Sequence, residues 1–109
     1  MVKYNTAKLD QIFSALSDQT RRGIIVNLTR KTLSAQELAA PYEMSLPAIS
    51  KHLKVLETAK LVRRQIKGRT QLFSLDIKTV QKASDWLTFH QHFWQQNLSK
   101  LEDYLKTNK

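Results

Sequence analysis

Residues 44–57 read Met44-Ser-Leu-Pro-Ala-Ile-Ser-Lys-His-Leu-Lys-Val-Leu-Glu57, and the reading of this stretch decides the fold. Ser45 suits a helix N-cap, because its hydroxyl can accept from a backbone N–H left unsatisfied in the first turn. Pro47 is tolerated in that turn, where its missing N–H is not needed. Leu46, Ile49, Leu53 and Leu56 form one apolar stripe at helical spacing. Pro47, Ala48, Lys51 and Val55 lie opposite, flanked by Ser50, His52 and Lys54. The pattern predicts a helix over residues 46–59 with a basic outer face.

Just upstream, Ser34-Ala-Gln-Glu37 is a capping box, in which each side chain satisfies an exposed N–H near the other. The helix it opens is short, since Pro41 is costly in a helix interior. Two short helices about a tight turn make a helix-turn-helix over about residues 34–59. Beyond Ala59-Lys60 the period changes. Leu61 to Ile66 and Thr70 to Leu75 read as strands, and Lys67-Gly68-Arg69 as a hairpin turn in which Gly68 can adopt positive φ. A hairpin at about 61–75, directly after a helix-turn-helix, is a wing.

The flanks are helical. Leu9, Ile12, Phe13 and Leu16 mark a first helix from about Asn5 to Leu16. Ser17-Asp18 breaks it, and Asp18 suits the cap of a second helix through Ile24, Ile25 and Leu28. After the hairpin, a short segment from Ile77 is expected to lead into a long helix over about residues 83–106. Leu87, His90, Trp94, Leu98, Leu101 and Leu105 fall on one stripe of it, with Trp86, Phe89, Phe93 and Tyr104 on its shoulder. So wide an aromatic stripe exceeds what a chain of 109 residues can cover alone. A dimer interface is therefore expected from Leu9, Phe13, Trp86, Phe89, Phe93, Trp94, Leu98, Leu101 and Leu105. The expected fold is mainly α with a small β-hairpin. It is a winged helix-turn-helix filling residues 1–109 as a single domain, with N- and C-terminal dimerisation helices.

Charge points to the partner. Eighteen Lys and Arg stand against nine Asp and Glu, a net +9. Residues 44–75 hold Lys51, Lys54, Lys60, Arg63, Arg64, Lys67 and Arg69 against Glu57 alone, so +6 of that excess sits on one helix and one hairpin. Solubility does not require one sign in one place, whereas phosphate neutralisation does. Other classes fit less well. Cysteine is absent, which excludes disulfides and thiolate metal sites. The carboxylates are scattered and no nucleophile–base motif or cofactor fingerprint occurs, so no enzyme is expected. Phe73 is the only aromatic in the basic segment, too few for base stacking on single-stranded RNA. Met1-Val2-Lys3-Tyr4-Asn5 has no signal-peptide core, and no apolar run approaches a membrane span; a soluble, cytoplasmic protein without membrane contact is expected.

The stretch 44–57, followed by Ala59-Lys-Leu-Val62, Lys67-Gly-Arg69 and Phe73-Ser-Leu75, resembles the recognition helix, strand and wing of the ArsR-type winged-helix repressors of bacteria. Leu16-Ser-Asp-Gln-Thr-Arg-Arg22 resembles the opening of that family's second helix. Trp86-Leu87 and Phe93-Trp94, followed by Leu98, Leu101 and Leu105, resemble a metal-independent branch that dimerises through its terminal helix. The resemblance covers about residues 7–106. There are departures. Where the founding metal sensors carry paired cysteines, this chain reads Glu37-Leu38-Ala39-Ala40. Where another branch binds zinc or nickel on the terminal helix, only Asp85, His90, His92, Glu102 and Asp103 are present. His90 and His92, two apart, point to roughly opposite sides of a helix. No metal or cofactor is expected, and the alternative is a metal- or ligand-responsive repressor using those terminal-helix groups. Lys60 stands where the family usually has glycine.

The resemblance implies a homodimeric repressor of its own or a neighbouring operon, bound to a palindromic site on double-stranded DNA. The half-sites would lie roughly 34–36 Å apart. Pro47, Ala48, Ser50, Lys51, His52 and Lys54 are the candidates for the major groove. Lys51 and Lys54 suit bases or phosphates equally, and His52, beside the apolar stripe, suits either DNA contact or support of its helix. Arg63, Arg64, Lys67, Arg69 and Thr70 are the candidates for holding the wing to phosphates or a minor groove.

Overall fold

The computed structural model describes residues 6–107, with side chains described for 7–91 and 95–107. Along the chain, α1 spans Thr6–Ala15, α2 Gln19–Asn27, β1 Leu33–Ser34, α3 Ala35–Ala39, α4 Leu46–Thr58, β2 Val62–Lys67, β3 Thr70–Leu75 and α5 Ile77–Thr107. A single 3-10 turn, Ala40–Tyr42, joins α3 towards α4. The expected start at Asn5 lies outside the described residues.

The expected caps form. The Asp18 carboxylate accepts from the N–H of Arg21. Ser34 and Glu37 exchange both bonds of the capping box, at 3.2 and 3.0 Å. The Ser45 hydroxyl accepts from the N–H of Ala48 at 3.3 Å, with Pro47 in the first turn. At the other end of α4, Leu61 N–H reaches Leu56 O and Lys60 N–H reaches Glu57 O. These are the paired bonds of a Schellman motif, whose C′ residue must turn left-handed. Lys60 does so at φ 62°, in a conformation that costs a non-glycine residue about 1–2 kcal/mol.

The sheet is antiparallel in the order β1-β3-β2. Val62 pairs with Leu75 and Lys67 with Thr70, so the hairpin loop is only Gly68-Arg69, with Gly68 at φ 64°. Lys67 thus ends a strand instead of sitting in the turn. The two-residue β1, unmarked in the sequence pattern, lays Leu33 beside Phe73 and Ser34 beside Leu72. Around this sheet Ile24, Leu38, Ile49, Leu53, Leu56, Leu61 and Phe73 are fully buried, drawing α2, α3, α4 and the hairpin onto one core. Burying each of these side chains contributes roughly 1.5–3 kcal/mol.

Two further expectations need correction. Leu46, assigned to the apolar stripe, is 45% exposed, because the first residue of α4 precedes the turn that meets the core. The terminal helix is continuous from Ile77, with no separate lead-in segment before Ala83. Asp76 starts it: its carboxylate accepts from Thr79 N–H at 3.3 Å and its carbonyl from Val80 N–H at 3.1 Å. Thr79 and Ala83 are then buried one turn apart, so packing favours a helix already here.

Candidate nucleic-acid interface

The outer face of α4 presents Pro47, Ser50, Lys51 and Lys54 to solvent, with Ala48 and His52 half-buried beside them. Ile49, Leu53 and Leu56 seat the opposite face in the core. The positive end of the helix dipole adds to the N-terminal end of this surface. Arg63, Arg64, Lys67, Arg69 and Thr70 are all exposed on the hairpin. The hairpin adjoins α4 directly, because Arg64 of β2 reaches Glu57 of α4.

These cations are not equivalent. Arg64 donates through Nε at 3.1 Å and Nη2 at 2.6 Å to one Glu57 oxygen, and its guanidinium lies 5.5 Å from the Phe73 ring centre. Arg63 donates to Asp76 at 3.0 Å. Partial burial opposes the charge on Asp76, but the Arg63 guanidinium and the N–H groups of Thr79 and Lys78 prevail and hold its carboxyl below the ordinary value. Among the described residues, Lys51, Lys54, Lys67 and Arg69 have no such carboxylate partner. The carboxylates of Glu57 and Asp76 were not anticipated. Glu57 stood out in sequence only as the lone acid of the basic segment.

Arg21 was missed as well. Its Nε donates to Ala15 O at 2.6 Å and its Nη1 lies 3.3 Å from Nδ1 of His52, so it joins the end of α1 to α4. Nδ1 of His52 is also 3.7 Å from the Asp18 carboxylate. The N–H of Arg21 first, with the nearby His52 and Arg21 charges, holds Asp18 below the usual carboxylate range against some desolvation.

Of the expected dimer residues, Leu9 and Phe13 are partly buried against the core of their own chain. Trp86 packs on Phe13, with ring centres 5.4 Å apart, and on His90 at 4.3 Å. Phe89, Leu98, Leu101 and Leu105 are 71%, 57%, 53% and 59% exposed. The side chains of Phe93 and Trp94 lie outside the described ones. Beyond His90, every described residue of α5 is exposed. Among the described residues no three His, Asp or Glu side chains gather as a metal cluster, and no helix is long and apolar enough to cross a membrane.

Comparison with known proteins agrees with this architecture. Residues 16–65 match a family model described as a helix-turn-helix domain. The chain is 43% identical over 67 residues to the HTH-type transcriptional regulator Rv2034 of Mycobacterium tuberculosis, covering 62% of this chain and 63% of that protein's length. It is 32% identical to the transcriptional repressor SdpR of Bacillus subtilis over 72% of this chain and 88% of that one. The crystal structure of an ArsR family transcriptional regulator, RHA00566, superposes with a TM-score of 0.76 at 33% identity, over 87% of this chain and 97% of its own. A basic helix-turn-helix, an adjoining hairpin and these relatives converge: the chain is a DNA-binding transcriptional regulator of the ArsR winged helix-turn-helix family.

Proposed function

We propose that the whole chain acts as one DNA-binding unit that pairs into a homodimer and represses its own or a neighbouring operon. Each protomer lays the N-terminal half of α4 in a major groove of a palindromic site. Pro47, Ala48, Ser50, Lys51, His52 and Lys54 meet base edges and flanking phosphates. Arg63, Arg64, Lys67, Arg69 and Thr70 hold the hairpin to the backbone or a minor groove. The observation that carries this reading is the exposed basic surface of α4 and its hairpin, set on a fold shared with named regulators.

Support for the dimer comes from α5. Its 31 residues extend about 46 Å, and its far half exposes Leu98, Leu101 and Leu105 with no covering element among the described residues. A second copy packed on that half would remove these leucines from water. The proposed regulator is cytoplasmic and catalyses nothing. Footprinting the purified protein on the DNA upstream of its own gene tests the proposal. A protected palindrome is expected; protection without two-fold symmetry would overturn the dimeric arrangement, and no protection there would overturn self-regulation.

A further inference from the structure

A guanidinium carries donors only. Contact between Arg21 Nη1 and His52 Nδ1, at 3.3 Å, therefore makes Nδ1 the acceptor and places the ring proton on Nε2. If the ring gains a second proton, its Nδ1–H faces the Asp18 carboxylate, 3.7 Å away, while Nε2 keeps its hydrogen. In both of these states the outer nitrogen donates; only a neutral Nδ1–H ring, turned on Asp18 instead of Arg21, would make it an acceptor.

That nitrogen reaches the surface. His52 is 22% exposed in its side chain, and Nε2 has no partner among the described residues. No buried side-chain nitrogen or oxygen among them lacks a hydrogen bond, so Nε2 is not buried. It stands on α4 between the exposed Lys51 and the buried Leu53, midway along the helix. Arg21 cannot easily turn away, since its Nε and Nη2 are held by the carbonyls of Ala15 and Ser14 at 2.6 and 3.4 Å.

We propose that His52 recognises hydrogen-bond acceptors on DNA through Nε2–H, and that Arg21 is the positioning residue that locks the ring in this donor tautomer. The inference rests on the DNA-binding reading and names the chemistry of one contact within it. Acceptors are of two kinds, a phosphate oxygen or a base-edge atom such as a purine N7. The exocyclic amines of adenine and cytosine are refused at this position, because two donors cannot pair.

The ring ¹⁵N shifts of His52 in the DNA-free protein test the tautomer by themselves. An Nε2–H signature is expected, and an Nδ1–H signature overturns the proposal. Arg21→Gln should move those shifts towards a tautomer mixture; unchanged shifts would remove Arg21 from it. On the footprinted duplex, His52→Gln keeps a donor near Nε2 and should bind within about threefold of the unaltered protein, whereas His52→Asn lacks it and should bind roughly tenfold more weakly or worse. Equal binding by His52→Asn, with unchanged melting, overturns the contact. Methylphosphonates at each phosphate, and 7-deazapurines, 2-aminopurine or 4-thiothymine at each base, locate the acceptor. The relevant position is the one whose substitution ceases to matter in His52→Ala. Sensitivity to one set assigns phosphate or base, and sensitivity to neither overturns the proposal. Failure of the unaltered protein to bind any duplex would count against the regulator reading, and the ¹⁵N result stands apart from it.

Discussion

Arg64 closes on Glu57 with two N–H groups on one carboxylate oxygen, at 2.6 and 3.1 Å, so the first strand of the hairpin is pinned to the last turn of α4. Half-exposed pairs of this kind contribute on the order of 0–1 kcal/mol to folding. In the proposed interface Glu57 would weigh more on DNA binding than on folding, because a carboxylate beside a phosphate-binding cation both engages it and repels the backbone. Glu57→Gln should change melting little, tighten DNA binding several-fold at low salt, and steepen the dependence of log K on log salt. Titrations at several salt concentrations measure this; weaker binding would show that the pair instead orients the hairpin for DNA.

At the hairpin end, Lys67 and Arg69 have no carboxylate partner among the described residues. Replacing either by Ala should weaken binding to all sequences alike and reduce the salt slope by about 1. An unchanged slope in the Lys67→Ala, Arg69→Ala double variant would remove the hairpin tip from the interface.

Asp18, Glu37 and Asp76 all have carboxyls held below their ordinary values. For Glu37 the Ser34 backbone N–H is the main cause, with the Ser34 hydroxyl next. A depressed carboxyl stabilises the fold above its unfolded pKa of about 4, and that stabilisation is lost as pH falls through the lower folded value. Melting temperature should therefore decline from about pH 4 downwards. Asp76→Asn should make the decline shallower, and an equally steep acid limb in that variant would assign the effect elsewhere.

A Cβ on Gly23 would strike the hydroxyl of Tyr42. Alanine in a helix is worth about 1 kcal/mol over glycine, but forcing an atom into an occupied site costs about 1–3 kcal/mol. Gly23→Ala should thus lower the melting temperature, and adding Tyr42→Phe should recover part of the loss. A Gly23→Ala variant that melts higher would show that Tyr42 yields freely.

Leu98 and Leu101 lie on the exposed half of α5, at 57% and 53% exposure. Changing both to Asp should leave the helix-turn-helix folded, yield monomers by light scattering, and lower operator affinity by at least tenfold, since each half-site alone engages fewer phosphates. A variant that remains dimeric would place the interface elsewhere.

Much of this was legible in sequence because the signals were local. Ser45, Pro47, the Ser34–Glu37 box and Gly68 each act within a few residues, and each stands where its pattern put it. Lys60, in a place more usual for glycine, keeps the left-handed turn because two Schellman bonds and the burial of Leu61 outweigh its strain. What escaped was long-range. β1 is two residues whose partners, Phe73 and Leu72, lie about forty positions on. The ion pairs of Arg63 and Arg64 and the Arg21–His52 contact exist only once separate helices and strands meet. α5 starts earlier than its apolar stripe predicts, because Asp76 caps it through the N–H of Thr79.

β1 grips β3 only at Phe73 and Leu72, midway along the strand, whereas Thr70 and Gln71, towards the loop, are paired on one edge alone. The wing is therefore a cantilever. Its inner half is fixed by the β1 rungs, by the buried Val62 and Phe73 and by the Arg64–Glu57 pair, while the outer end, bearing Lys67 and Arg69, is held by the pairing of β2 with β3 alone. In the proposed complex such a wing would put its compliance at the tip, where the groove varies in width, and its stiffness beside α4, whose register on the DNA it would leave undisturbed.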